Sequence, residues 1–236
     1  MTSLLSVSQL QAFYGLGQVL HGLDLRVGRG EQVALVGRNG MGKTTLLRSL
    51  MGLVADRHGQ ILLGGQDISR AKVETIARAG VALVPEGRGI FGSLSVAENL
   101  VMTARPGVGG NRSWTLKRIY DLFPRLYARR SNGGHQLSGG EQQMLSIGRA
   151  LMTNPDLLLI DEATEGLAPL IARDIWTTLD VIREEGVASI VVDKDFRSLS
   201  KIADRIVVLS KGNVVFNDSP SVLAQQPQML ALHLGL

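Results

Sequence analysis

The stretch of sequence that decides the fold is a glycine-rich loop of eight residues, Gly37-Arg38-Asn39-Gly40-Met41-Gly42-Lys43-Thr44. It has the spacing G-x-x-x-x-G-K-[ST], follows the aliphatic run 33–36 and leads into a helical pattern that begins near Thr45. Glycines allow backbone N–H groups to curl around phosphate oxygens, and the positive end of the helix dipole adds to the attraction. We expect Lys43 to neutralise the β- and γ-phosphates and the Thr44 hydroxyl to coordinate Mg²⁺. The loop and Thr45 therefore predict a nucleotide-phosphate site.

Short aliphatic runs recur along the chain, at 33–36, 81–84, 157–160, 190–192 and 206–209. They lack polar alternation, which is typical of strands that are buried on both faces in a parallel sheet covered by helices. Helical patterns such as 168–185 and 198–203 lie between several of them. Alternation of strands and helices predicts an α/β fold with right-handed crossovers.

The middle of the chain, about 86–154, has a different pattern. Helical stretches at 96–103, 116–122 and 141–152 dominate it, and a loop rich in glycine and arginine at 105–112 interrupts it. We interpret this part as a helical subdomain inserted into an α/β core made of about 1–85 and 155–236. No proline- or serine-rich linker separates the parts, so the sequence predicts one domain over 1–236.

Composition excludes several classes of protein. Hydrophobic residues make up 44% and charged residues 19% of the 236, as in a globular chain. The net charge of +4 is too small to indicate a nucleic-acid-binding protein. The chain has no cysteine, which excludes disulfides, thiolate zinc sites and cysteine nucleophiles. No apolar run approaches the ~18 residues of a membrane span, and residues 1–5 lack the basic start of a signal peptide. We therefore expect a cytosolic chain.

The run 157–160 ends in two carboxylates, Asp161 and Glu162. Ligands of open parallel sheets bind beyond the carboxyl ends of the strands, where these two side chains would lie. We expect Asp161 to support Mg²⁺ and Glu162 to polarise an attacking water. Alone, such a pair is usually a solvated turn; downstream of a phosphate loop it is the expected partner.

A second glycine-containing motif, Leu137-Ser138-Gly139-Gly140-Glu141-Gln142-Gln143, precedes a helical pattern. It resembles the signature sequence of ABC-type ATPases. The amides at the start of that helix form a second anion site, so the chain has two phosphate-binding loops for one obvious nucleotide. The resemblance implies head-to-tail dimers in which the signature of one chain, residues 137–141, closes on the phosphate loop of the other.

The same resemblance assigns ATP and Mg²⁺ to the site and gives roles to two further residues. Tyr14 stands where that family carries an aromatic residue that stacks on adenine. Glu86 replaces a glutamine that contacts Mg²⁺, and because a carboxylate is also a hard oxygen ligand, the metal set implied is Thr44, Glu86 and Asp161.

Motifs across the chain narrow the resemblance to a subfamily: Pro85-Glu86-Gly87-Arg88, Ile90-Phe91, Leu94-Ser95-Val96-Ala97-Glu98-Asn99-Leu100, Glu165-Gly166-Leu167-Ala168-Pro169 and His233-Leu234-Gly235-Leu236. They look like the second ATPase subunit, the LivF type, of branched-chain amino-acid importers; urea and short-amide importers use a similar subunit and stay open as alternatives. This implies a motor at the cytoplasmic face of the inner membrane that works with a second ATPase subunit, two membrane permease subunits and, indirectly, a periplasmic binding protein. The resemblance places permease docking on 86–100 and the helical insert, with Ile90 and Phe91 either as apolar anchors or as core.

Three residues depart from the family pattern. Ala163 stands where proline commonly follows the acidic pair, and Ala168 where the usual loop has aspartate, although the subfamily shares the latter. Lys194 stands at the position of the switch histidine. An imidazole can both donate to a γ-phosphate and relay a proton, whereas an ammonium only donates. Two alternatives stay open for Lys194: it contacts the γ-phosphate, or it points to solvent. Two alternatives also stay open for the dimer: a heterodimer with a subunit that has the histidine, or a homodimer.

Two other classes of function explain the motifs less well. Non-transport ABC ATPases that act on nucleic acid carry two ATPase modules or long coiled coils, and this sequence shows one module and no sustained heptads. A GTP-binding switch would need an Asn-Lys-x-Asp motif and leaves 137–143 unexplained. A transporter motor with no nucleic-acid partner is the favoured hypothesis.

Overall fold

The computed structural model describes residues 3–235, and its strands form two sheets. The expectations for the first two residues of the chain and for Leu236 lie outside this range. The strands are β1 Ser3–Tyr14, β2 Gly17–Gly28, β3 Gln32–Val36, β4 Asp56–Leu63, β5 Gln66–Asp67, β6 Val81–Val84, β7 Leu157–Asp161, β8 Ala188–Val192, β9 Arg205–Ser210 and β10 Asn213–Asp218. The helices are α1 Lys43–Leu50, α2 Val73–Arg78, α3 Val96–Val101, α4 Leu116–Leu122, α5 Pro124–Ala128, α6 Gly139–Leu151, α7 Pro169–Glu184, α8 Phe196–Ile202, α9 Pro220–Ala224 and α10 Pro227–Leu234.

The central sheet has the order β10-β9-β3-β8-β7-β6 and is parallel except for the edge strand β10. Its five parallel strands are the five aliphatic runs of the sequence, and β3, β7 and β8 are buried along their whole length. Burial on both faces removes the polar alternation of a half-exposed strand. The predicted α/β fold with a mixed, mainly parallel sheet is confirmed.

A second, antiparallel sheet of β2-β1-β4-β5 covers one face of the molecule, and no sequence pattern had indicated it. Its strands alternate irregularly between buried and exposed residues because the β1–β2 and β1–β4 pairings shift register around Gln9, which has a positive φ of 51°. Each bulge changes which side chains face inward, so the period of two is broken along β1.

The central sheet separates two apolar cores. Successive side chains of a strand point to opposite faces. In β3, Ala34 and Val36 belong to the core formed with α3 to α8, whereas Val33 and Leu35 belong to the core formed with α1 and the antiparallel sheet. This packing fixes the end of β3, from which the phosphate loop leaves.

Helices α3 to α6 and two short 3₁₀ turns lie between β6 and β7, where the sequence predicted helices. The subdomain boundaries at about 86 and 154 stay a prediction. Two helices begin earlier than the sequence predicts. Helix α1 begins at Lys43, and α6 begins at Gly139 because Ser138 caps it in a reciprocal pair with Glu141. Along residues 3–235, no helix combines the length and apolarity needed to cross a membrane.

Candidate nucleotide-binding site

The phosphate loop joins the buried strand β3 to α1 and is shaped by glycines with positive φ. Gly37, Gly40 and Gly42 have φ values of 148°, 76° and 102°. A Cβ on Gly37 would lie 2.3 Å from the backbone oxygen of Leu209, so a side chain there would displace β9. Among the described residues, no side chain caps α1, which leaves the amides of its first turn available to an anion.

Lys43 points back across this loop. Its Nζ donates to the carbonyl oxygen of Gly37 at 2.7 Å and to that of Arg38 at 3.0 Å. Burial lowers the pKa of Lys43, while the charge of Asp161 opposes the shift. The loop carbonyls therefore hold a partly desolvated ammonium where a phosphate would arrive.

Asp161 ends β7 with an incompletely satisfied carboxylate. The residue is only 3% exposed, and its Oδ1 has no hydrogen-bond partner among the described residues. Burial raises the pKa of Asp161; a hydrogen bond from Thr44 opposes this, and the charge of Glu86 adds to it. A hydroxyl and two carboxylates with a free buried oxygen form the hard-oxygen set that Mg²⁺ takes, so Thr44, Glu86 and Asp161 fit that ion.

Glu162 follows Asp161 in a left-handed backbone conformation, with φ of 57°. Such a conformation costs a non-glycine residue about 1–3 kcal/mol and is found mainly at functional sites. Its Oε2 is buried without a partner in the described chain. Its Oε1 lies 3.8 Å from the Nζ of Lys194.

Lys194 lies over the cleft. Although its side chain is 56% exposed, its Nζ forms an ion pair with Glu165, and the hydrogen bond to Glu165 is the main reason that the pKa of Lys194 is raised. In this structure Lys194 is therefore both exposed and paired with a carboxylate at the cleft, and its contact with a γ-phosphate stays a prediction. Glu165 had been assigned no role; its carboxylate lies with those of Glu86 and Glu162, all within 4.8 Å of one another.

Sheet order explains why these residues meet. Because β8 lies between β3 and β7, the phosphate loop, the acidic pair and Lys194 after β8 leave the same edge. Together they line a cleft of about 530 Å³, whose lining residues are Val19, Asn39, Gly40, Gly42, Lys43, Thr44, Thr45, Glu86, Asp161, Glu162, Glu165, Val192 and Lys194. Asp193 steadies this edge by accepting bonds from the backbone N–H and the hydroxyl of Thr164, at 2.7 and 2.8 Å.

Other predicted site residues do not line this cleft. Tyr14 ends β1 with 49% exposure, and Arg38 donates to the carbonyl of Ala231 on α10 at 3.2 Å. The sulfur of Met41 accepts from the backbone N–H of Lys211 at 3.2 Å. None of the signature residues, which the structure describes in full, borders the cleft of its own chain.

The signature begins α6 in a tightly bonded turn. The Ser138 hydroxyl accepts from the backbone N–H of Glu141 at 3.4 Å, and Glu141 Oε2 accepts from the Ser138 N–H at 2.9 Å. Glu141 also lies 3.7 Å from Arg129. This capping fixes the first turn of α6 and the direction of its amides.

A phosphate loop after a parallel strand, with an acidic pair at the same sheet edge and a capped signature helix, defines a P-loop nucleotide hydrolase of the ATP-binding-cassette class. The family model described as "ABC transporter" matches residues 20–165, and the chain belongs to this family. It is an ATP-hydrolysing subunit of a transporter, and ABC ATPases bind ATP, generally with Mg²⁺.

Individual relatives cover nearly the whole chain. The high-affinity branched-chain amino acid transport ATP-binding protein BraG of Pseudomonas aeruginosa is 39% identical over 98% of this chain and 100% of its own length. The lipopolysaccharide export system ATP-binding protein LptB of Escherichia coli is 29% identical over 98% and 97%. A solved ATP-binding subunit of an ABC transporter superposes with a TM-score of 0.83 at 28% identity, covering 98% of this chain and 96% of that one.

Proposed function

We propose that this chain drives the import of branched-chain amino acids by hydrolysing ATP. The observation that carries the proposal is the 39% identity to BraG over 98% of this chain and the whole length of that relative. LptB, whose name assigns it to lipopolysaccharide export, is 29% identical over nearly the same share of this chain. The higher identity favours amino-acid import as the substrate class.

Lys43, Thr44, Glu86 and Asp161 bind and orient the triphosphate. Lys43 neutralises the β- and γ-phosphates from its position among the loop carbonyls. Thr44, Asp161 and Glu86 hold Mg²⁺, which supplies positive charge to the phosphate oxygens when it is bound. Burial raises the pKa of Asp161 in the chain alone, and a cation beside its free Oδ1 would oppose that shift.

Glu162 acts as the general base. A carboxylate that receives the proton of the attacking water must lie at the cleft and be ionised, and Glu162 lies there with an unpaired oxygen among the described groups. The ammonium of Lys194 lies 3.8 Å from the other carboxylate oxygen, Oε1. Lys194 then donates to the γ-phosphate as the nucleotide competes with Glu165 for it.

A second ATPase subunit completes the site. Because the signature does not border the cleft of its own chain, it is free to serve the nucleotide of a partner, and Tyr14 is exposed at the end of β1 where an adenine ring would stack. A heterodimer with a histidine-bearing subunit would have one nucleotide site with Lys194 and one with the histidine. A homodimer would have Lys194 in both sites.

Two membrane permease subunits dock beside the loop that follows β6. A groove there of about 260 Å³ includes Leu83, Pro85 and Arg105 among its lining residues. Phe91 is 46% exposed and suits an apolar anchor, whereas Ile90 packs against the core under the helices. With a periplasmic binding protein delivering the substrate, the subunit works at the cytoplasmic face of the inner membrane.

The test is transport by the assembled complex. The chain is purified with the permeases and ATPase encoded beside its gene, reconstituted into vesicles, and supplied with the neighbouring binding protein. Uptake of leucine that requires ATP and disappears in Glu162→Gln supports the proposal. Uptake of urea or a short amide, without uptake of leucine, would show that the substrate class is not branched-chain amino acids. ATP turnover that does not respond to the binding protein would refute import.

A further inference from the structure

Three consecutive residues in the loop after β6 have left-handed backbone conformations. Gly87, Arg88 and Gly89 have φ values of 75°, 67° and 58°. Glycine adopts this region freely, whereas a side chain meets steric repulsion there. Since glycine at the central position would be favoured by the backbone, the contacts of the Arg88 side chain must compensate, and strain of this kind marks functional positions.

The side chain of Arg88 reaches the signature. Its Nη1 donates to Oε1 of Gln142 at 3.1 Å. A Cβ on Gly139, the first residue of α6, would lie 3.1 to 3.4 Å from three guanidinium atoms of Arg88. The guanidinium therefore lies directly on the first turn of the signature helix.

The backbone of the same loop is bonded farther along α6. The Ser146 hydroxyl donates to the carbonyl of Arg88 at 2.6 Å, and Arg149 Nη1 donates to the carbonyl of Gly89 at 2.6 Å. Gln142, Ser146 and Arg149 are spaced by four and three residues, so they share one face of α6. Glu86, two residues before Arg88, lines the nucleotide cleft. One short segment thus joins the cleft to the signature helix.

We infer that Arg88 is a positioning residue that couples the nucleotide site of its own chain to the site that its signature completes on a partner. Nucleotide held at Glu86 fixes the loop, and Arg88 carries that restraint to Gly139 and Gln142. Coupling of this kind is reciprocal, so engagement of the signature also restrains Glu86. This inference rests on the proposed shared-site mechanism.

The first measurement is amide hydrogen exchange at residues 138–142 of the full chain, with and without Mg²⁺ and a non-hydrolysable ATP analogue. In the wild type, nucleotide should slow exchange there. Arg88→Gly relieves the backbone repulsion and removes only the side chain, so nucleotide affinity should stay within about twofold while the protection falls about tenfold. Arg88→Lys, which keeps the charge but loses the planar fork, should be intermediate.

Two controls separate coupling from stability. Lys211→Gly relieves a similar backbone conformation, φ of 46°, at an exposed turn and should keep full protection. Gln142→Ala should also lose protection against exchange. The double variant with Arg88→Gly should lose no more protection than the more affected single variant, because both substitutions remove the same contact.

The inference would be overturned if nucleotide slowed amide exchange in Arg88→Gly as much as in the wild type. It would also be overturned if weaker nucleotide binding by the variant accounted for the lost protection. Turnover beside the partner subunit gives a second readout: Arg88→Gly should lower kcat about tenfold with KM unchanged. The exchange experiment needs only nucleotide binding by one chain, so failure of the transport assay would refute the proposed function without altering this result.

Discussion

Gly140 allows the signature helix to pack against α7, and Gly140→Ala tests this contact. A Cβ at this position would lie 2.4 Å from Cγ2 of Ile171 and 3.4 Å from its Cβ and Cγ1. Carbon atoms normally approach to about 3.5–4.0 Å, so the start of α6 or the side chain of Ile171 must move by roughly 1 Å. Overpacking of this kind costs about 1–3 kcal/mol.

This loss of free energy of unfolding corresponds to a lower melting temperature. For a chain of 236 residues, about 2–4 °C is lost per kcal/mol, which predicts a fall of about 2–12 °C for Gly140→Ala. Thermal unfolding of the nucleotide-free chain, followed by circular dichroism, measures it. The displaced signature should also reduce turnover with the partner subunit.

Neighbouring positions supply the controls. Gly139→Ala would require the guanidinium of Arg88, at 3.1 Å, to shift by only a few tenths of an ångström along the same turn, and it should melt within about 2 °C of the wild type. Ile171→Leu removes the branched methyl group at Cβ and should recover most of the loss when combined with Gly140→Ala. Equal melting temperatures for Gly140→Ala and the wild type, or an equal loss in Gly139→Ala, would refute the packing argument.

Three further predictions concern the cleft. Glu162→Gln should bind ATP normally but lose nearly all turnover, because an amide cannot accept the proton of the attacking water; near-normal hydrolysis would remove Glu162 as the base. Burial raises the pKa of Asp161, so its ionised form destabilises the nucleotide-free fold at neutral pH, and this penalty is lost as the pH falls from the raised pKa to the ordinary pKa of an aspartate. Asp161→Asn should therefore have a free energy of unfolding about 1–3 kcal/mol higher than the wild type at pH 7, which raises the melting temperature by a few degrees. The difference should shrink in acid, and Mg²⁺-dependent turnover should be lost. A melting temperature below that of the wild type at pH 7 contradicts this. Lys194→His should speed single-turnover hydrolysis by the isolated chain, since an imidazole can relay a proton, whereas unchanged robust hydrolysis would remove the reason to expect an asymmetric dimer.

Local sequence patterns predicted much of the central fold and the chemistry at its edge. The five parallel strands are visible because burial on both faces makes each run continuously apolar. The phosphate loop and the acidic pair are visible because each needs fixed residue types over a few consecutive positions. The antiparallel sheet was missed since bulges around Gln9 erase the alternation that identifies a strand.

Contacts between distant parts of the chain were decided only by the tertiary structure. Lys194 binds Glu165 across 29 residues, and Arg88 binds Gln142 across 54, so neither pairing leaves a local pattern. Sheet order brings the first pair to the nucleotide cleft, because β8 lies between β3 and β7. The packing of α6 against the loop after β6 brings the second pair together. The sequence by itself determined which residue types belong to a predicted nucleotide site. Only the tertiary structure determined which charges oppose one another around the cleft, because the distance between two charges depends on how the strands and helices are packed.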